Sequence, residues 1–156
     1  MADQLNNGWF IRYFALQRDL INLETLLRVR SRSLSETLYK ESLLPSGLIS
    51  EELWQSLYQA ENEKISRVLN ATPYRDLAAY TEDYSGGGQA ANFVRDRDQI
   101  LIDHIEKGRH VLSGPELVLS YVLAREYEIK NLRIVDAAIR NHLSPEQRNA
   151  LRRDLW

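Results

Sequence analysis

Three clusters of residues carry groups that could do chemistry. Ser85-Gly86-Gly87-Gly88 is the one glycine run, and bare backbone N–H groups in such a run can cradle a phosphate. Neither nucleotide-loop pattern is completed, because no Gly-Lys-Ser/Thr follows and no strand pattern precedes, so the run reads as a flexible connection. His104 and His110 flank Glu106. A six-residue step is roughly 600° of helix rotation and turns the two rings apart, whereas helical metal ligands need steps of three or four. His142 stands alone, and all three histidines read as helix-end or surface residues. Asp96, Asp98, Asp103 and Glu106 would suit acid–base work if buried, but Arg95, Arg97 and Lys107 are interleaved with them. That alternation reads as a solvated face with local ion pairs. No G-x-S-x-G nucleophile pattern occurs, and the absence of cysteine excludes thiolate zinc sites and disulfides. The expectation is no catalytic residue, no metal site and no cofactor.

Arg28, Arg30 and Arg32 form the concentrated basic patch. Arg28 and Arg32 are i and i+4 and share a helix face, while Arg30 points elsewhere. Cations suit a helix C-terminus, which is the plain reading of all three. Arginine is also favoured at protein interfaces, so Arg28 and Arg32 are the candidate contact to an acidic partner surface.

These residues must be positioned by helices, because apolar spacing is helical nearly throughout. From Tyr13 the stripe continues at Leu16, Leu20, Leu23 and Leu27, predicting a helix over about 8–32. Leu43-Leu44-Pro45-Ser46-Gly47-Leu48-Ile49 reads as a turn, after which Ser50 caps a short helix over 51–58. A further short helix covers 61–69, and Thr72-Pro73 predicts a cap and first turn of a helix through Tyr80. Beyond the glycines a helix is predicted over 92–107, with Phe93, Ile100 and His104 on one side. Ser113-Gly114-Pro115-Glu116 fits a capping box and opens a helix carrying Leu119, Val122, Ile129, Leu132, Val135 and Ile139. Ser144-Pro145-Glu146-Gln147 repeats the device and opens a last helix towards Trp156. No segment sustains period-two alternation, so the fold class is all-α, a helical bundle.

Part of the sequence echoes itself. Residues 15–23 and 124–132 both read A-x-x-x-[DE]-[LI]-x-N-L, and Leu34-Ser35 recurs as Leu143-Ser144 at the same 109-residue offset. Two matches at one offset point to related helical units around a shared core. Asn22 and Asn131 are the odd polar members of these apolar segments. Their amides are expected to bond a neighbouring backbone and fix helix register.

Composition narrows the function classes. Lys plus Arg is 20 and Asp plus Glu 22, a net charge of −2, which argues against a general nucleic-acid binder. A hydrophobic content of 44% with 27% charged residues suits a packed globular chain rather than a disordered one. No run approaches a bilayer-spanning length and the first residues lack a secretory pattern, so a cytoplasmic location with membrane association only through protein partners is expected.

The segment from Leu119 to Ile134, LSYVLAREYEIKNLRI, closely resembles the C-terminal helix of the C-subunit family of V-type and archaeal A-type ATPases, which includes the d subunit of the eukaryotic V-ATPase. Ser113-Gly114-Pro115-Glu116, Leu143-Ser144-Pro145-Glu146, Leu44-Pro45-Ser46-Gly47, Thr72-Pro73-Tyr74 and Asp19-Leu20-Ile21-Asn22-Leu23 fit the same pattern in the family's order. The resemblance implies a funnel-like architecture of three related helical units, of which this chain resembles the last two: residues 1–85 the middle repeat and 86–156 the C-terminal one. It implies a non-catalytic central-stalk subunit that links the soluble rotor shaft to the membrane proteolipid ring and couples ATP turnover to ion transport without binding ATP. Central-shaft subunits and the proteolipid ring are the implied partners, with Arg28 and Arg32 near a partner contact. The rival readings are a helical regulatory or scaffold adaptor without an ATPase role, and a small helical enzyme using the acids from Asp96 to Asp103.

Overall fold

The computed structural model describes residues 7–155. Among them the chain forms eight helices and no strand. Helix α1 spans Gly8–Ser31, and Asn7 caps it by accepting from the backbone N–H groups of Trp9 (2.9 Å) and Phe10 (3.4 Å). The predicted stripe Tyr13, Leu16, Leu20, Leu23 and Leu27 is buried along its length. Ser33 then adopts a positive φ of 52° and Leu34 N–H bonds the Val29 carbonyl at 3.0 Å. That closure satisfies carbonyls that would otherwise be left open at the helix end.

The chain has two compact units, one running up to Phe93 and the other from Val94 on. In the first, α1 is followed by the short helices α2 (Glu36–Ser42), α3 (Glu51–Leu57) and α4 (Asn62–Asn70). Ser35 and Ser50 cap α2 and α3 through their hydroxyls, as side-chain acceptors at N-caps do. Helix α2 has no counterpart in the spacing of the sequence. It is seven residues long, buries Tyr39 alone and leaves Leu38 exposed, so it carries too little periodicity to declare itself.

The Thr72-Pro73 segment departs from expectation. Instead of an α-helix through Tyr80 there is a 3₁₀ helix over Arg75–Thr81. Thr72 does act as a local cap, its hydroxyl accepting from Tyr74 N–H at 3.2 Å. Tyr74, Leu77 and Tyr80 are spaced by three and all buried. Residues three apart eclipse one another at three residues per turn, so the tighter helix puts all three on the inward face where an α-helix would fan them out. Tyr80 and Tyr84 both meet the Phe93 ring edge-on, with centroids 5.4 Å away.

The second unit is built on α5 (Gln89–Arg109) from Val94 on, α6 (Pro115–Arg140) and α7 (Pro145–Leu151). Helix α5 starts three residues before the expected Asn92, because the glycine run forms a turn into it, with Gly86 N–H donating to Asp83 (2.7 Å) and Gly88 at φ 91°. Ser113 does not cap α6. Gly114 is the N-cap, at φ 131° with no side-chain cap bond, and the capping box expected of Ser113 is not made. The box at Ser144 is made in full: its hydroxyl accepts from Gln147 N–H (3.3 Å) while the Gln147 side chain accepts from Ser144 N–H (2.9 Å). Helix α7 stops at Leu151 rather than continuing towards Trp156, since Arg152 is extended at φ −75°, ψ 150°. Trp156 itself lies outside the described residues.

The stripe expected to be the core face of α6 is not buried. Val122, Ile129, Leu132 and Ile139 are 47–70% exposed, and the buried residues of α6 are Ser120, Ala124, Asn131 and Ala138. None of those positions carries a large apolar side chain, so period counting over large apolar residues does not register them.

Candidate functional site

The basic patch at the end of α1 divides as its spacing implies. Arg28 is exposed and paired with Glu24 one turn earlier on the same helix. Arg32 is the exposed C-cap residue. Arg30 turns inward: its guanidinium donates to the carbonyls of Leu57 (3.2 Å) and Tyr58 (3.3 Å), to the Ala60 carbonyl and to the Asn62 side chain (2.9 Å). A cation over the last carbonyls of α3 both satisfies acceptors and suits the negative end of the helix. Arg30 therefore ties α1 to α3 and α4, and Arg28 and Arg32 are left facing solvent.

Two buried carboxylates organise the units, and spacing singles out neither. Asp19, fully buried on α1, accepts from the backbone N–H of Leu48 (2.7 Å) and Ile49 (3.2 Å), from Trp54 Nε1 (3.2 Å) and from the Tyr74 hydroxyl (2.7 Å). One side chain thus fastens the Pro45–Ile49 turn, α3 and the segment entering the 3₁₀ helix. Burial, together with the bond to Asp19, pushes the Tyr74 hydroxyl above its ordinary value, so it stays a donor. Gly47 completes the turn: a Cβ there would collide with the Ala15 carbonyl and the Asp19 carboxylate. The signal in sequence is an acid inside an apolar run, one residue before Leu20.

Asp98 corrects the solvated-face reading of α5. It is 1% exposed, and its carboxylate receives Arg97 Nη2 (3.0 Å), Lys130 Nζ and Arg153 through both Nε (2.9 Å) and Nη2 (2.8 Å). Burial acts to raise the carboxyl, but the bonds from Lys130 and Arg97 outweigh it and hold it below the ordinary carboxylate value. A carboxylate held ionised by three cations is a structural anchor rather than a general acid. Asp96 pairs with Arg95 (2.7 Å) and Glu106 with Arg109 (2.9 Å) as local ion pairs, and His110 Nε2 lies 2.9 Å from the Glu106 carboxylate. His104 is buried, contrary to the surface reading, while His110 is exposed. Among the described residues no group of three His, Cys, Asp or Glu could hold a metal ion.

The two asparagines do what their placement suggests. Asn22 exchanges both bonds with the backbone of Leu44, at 3.1 and 2.8 Å. Asn131 exchanges both with the backbone of Arg153, at 3.0 and 3.1 Å. Leu44 and Arg153 are themselves 109 positions apart, and so are the positive-φ residues Ser33 and His142 and the cap residues Ser35 and Ser144. In each unit, then, a long helix closes in the same way, a short helix follows, and the chain after it is clamped by an asparagine amide.

Comparison with known proteins bears directly on these features. The sequence pattern of the family described as ATP synthase (C/AC39) subunit matches residues 2–151. The chain belongs to this family. Its members are a non-catalytic subunit of the V/A-type ATP synthases. Similarity extends to the C subunit of the A-type ATP synthase of Desulfurococcus sp. (strain SY), at 28% identity over 148 residues, covering 86% of this chain and 36% of that relative. The chain thus spans about a third of the length of the curated relative it matches. No solved structure matches. Membership agrees with the all-helical fold and with the Asp19–Asn22 and Asn131 helices that carry the resemblance. No described helix is long and apolar enough to cross a membrane.

Proposed function

We propose that this chain serves as a non-catalytic central-stalk subunit of a rotary V/A-type ATPase, joining the soluble rotor shaft to the membrane proteolipid ring. The observation that carries the reading is the family match over residues 2–151. On this reading the subunit's task is mechanical: one surface grips the shaft, another rests on the ring, and rotation passes through the body between them, coupling ATP hydrolysis or synthesis to ion transport. A body of that kind needs internal fastening against shear. The Asp19, Arg30, Asn22, Asp98 and Asn131 clusters support the reading, because each ties a segment distant in sequence to a long helix, through backbone groups at Asp19, Arg30, Asn22 and Asn131 and through side chains at Asp98. Residues 1–85 and 86–156 are proposed as related units of the family's repeat, supported by the matched caps and asparagine clamps. The subunit would sit on the cytoplasmic side, peripheral to the membrane and held there by protein contacts.

Arg28 and Arg32 are the proposed contact to an acidic patch of a partner. A pull-down of the chain with purified central-shaft subunits and with detergent-solubilised proteolipid ring tests the proposal. Capture by either is expected, and Arg28→Glu with Arg32→Glu should weaken it about tenfold, roughly 1.4 kcal/mol. Undiminished capture by the double variant contradicts the contact. Capture by neither partner, from a folded sample, contradicts the stalk role and favours the adaptor reading.

A further inference from the structure

Asn7 is followed by Gly8, the one Asn-Gly step in the sequence, and it sits where α1 begins. Asparagine before glycine is the pairing best suited to spontaneous deamidation. With no Cβ on the following residue, its backbone nitrogen can approach the side-chain amide carbon unhindered. The surroundings are open as well: a Cβ built on Gly8 meets nothing within 4 Å. Gly8 is exposed and Asn7 half-buried, so water and base reach the pair. The other asparagines are placed differently. Asn22 and Asn131 are buried and held by backbone, and the exposed Asn141 and Asn149 precede His142 and Ala150.

The geometry of the cap decides how the reaction can proceed. Asn7 holds φ −106° and ψ 112°, its side-chain oxygen accepts from Trp9 and Phe10 N–H, and its carbonyl accepts from Ile11 N–H at 3.1 Å. At that ψ the Gly8 nitrogen is turned away from the Asn7 side chain. Ring closure needs the two on the same side of the Cα–C bond. Conversion therefore passes through a state in which the first turn of α1 has opened, and fraying at a helix end costs little. In that state the Gly8 nitrogen attacks Asn7 Cγ. The new N–Cγ bond forms, the Cγ–Nδ2 bond breaks, and ammonia leaves with the proton given up by the Gly8 amide. Water then opens the succinimide at either carbonyl, giving aspartate or isoaspartate. The two products act on the helix in opposite directions. Aspartate keeps an acceptor at the N-cap and adds negative charge to a helix whose first turn holds no acid. Isoaspartate routes the main chain through the side-chain methylene and removes that acceptor, which leaves the Trp9 and Phe10 N–H groups uncapped.

We propose that Asn7 is a site of spontaneous covalent modification, gated by opening of the α1 cap. The test is to age the whole chain in mildly alkaline buffer, native and in concentrated urea, and to follow each asparagine by peptide mapping with mass spectrometry. In the native chain Asn7 should gain the mass of an amide-to-acid conversion about tenfold faster than Asn141 or Asn149. Isoaspartate methylation should label the peptide that carries it. In urea, where no cap holds the Gly8 nitrogen away, conversion at Asn7 should be several-fold faster still. Gly8→Ala leaves room for its methyl and should slow conversion by about tenfold in both conditions. Asn7→Asp should melt no lower than fresh wild type, whereas the isoaspartate fraction of aged wild type should melt lower. Conversion at Asn7 no faster than at Asn141 and Asn149 in the native chain overturns the site. Equal rates at Asn7 in native and denatured chain overturn gating by the cap, and so does an isoaspartate fraction that melts with the wild type.

Discussion

Asp19 and Asp98 each hold a unit together by one carboxylate, and they differ in what neutralises them. Asp19 is satisfied by two backbone amides, an indole and a phenol, so its removal would orphan donors on three separate segments. Asp19→Ala is expected to destabilise the fold by about 3–5 kcal/mol, read as a lowered urea midpoint, because several buried donors lose their acceptor together. A loss below about 1 kcal/mol would mean that water replaces the carboxylate at no cost. Asp98 is neutralised by cations and therefore carries a pH dependence. Its folded carboxyl titrates below the ordinary 3.8, so the unfolded state takes up the proton first. The stabilisation is fully present above that ordinary value and is lost as pH falls through the lower folded one. Acid titration of wild type should therefore show stability falling below about pH 4, and Asp98→Asn should flatten that limb while lowering stability at neutral pH. A variant with the same acid limb as wild type would place the pH dependence elsewhere. The asparagines are legible in sequence because a polar residue in an apolar stripe is conspicuous. Asp98 is not, since Arg153 lies 55 positions away and nothing local distinguishes Asp98 from Asp96 and Asp103.

At the scale of elements, two serines that look alike do different work. Ser144 makes a reciprocal capping box and Ser113 makes none, because Gly114 at φ 131° takes the cap position. Ser144→Ala should cost about 1 kcal/mol in thermal or denaturant unfolding, whereas Ser113→Ala should cost only a few tenths. Equal losses would contradict the assignment of caps. The Gly47 turn is stricter: Gly47→Ala puts a methyl against the Ala15 carbonyl and the Asp19 carboxylate, and a loss of about 1–3 kcal/mol is expected in the same assay. The long helices α1 and α6 can be read from periodicity, and the Ser50 and Ser144 caps from residue type. The inward face of α6 cannot, because it is made of Ser120, Ala124, Asn131 and Ala138 while the large apolar residues face out. The 3₁₀ helix escapes the pattern for a related reason: spacing of three fits both helix types over two turns, and only burial of Tyr74, Leu77 and Tyr80 together selects the tighter one.

For the whole molecule, membership of the ATP synthase (C/AC39) subunit family and an all-helical fold are the fixed points. The proposed stalk role adds a mechanical demand, that torque applied at one surface reach another without unfolding what lies between. Clusters that each join a long helix to residues 22 to 55 positions away suit that demand better than ladders of local contacts would. The resemblance is legible in the chain because the LSYVLAREYEIKNLRI helix carries both a buried clamp, Asn131, and an exposed stripe, two constraints on one segment. The partner contacts are not legible, since Arg28 and Arg32 look like any cations at a helix end until a partner surface is brought to them. The most direct test of the stalk role is bridging: proteolipid ring is reconstituted into vesicles, and purified shaft subunits are sedimented with them in the presence and absence of this chain. The proposed role predicts that shaft subunits pellet with the vesicles only when the chain is present. Shaft subunits that remain in the supernatant in both conditions, with the chain folded and helical, would contradict it.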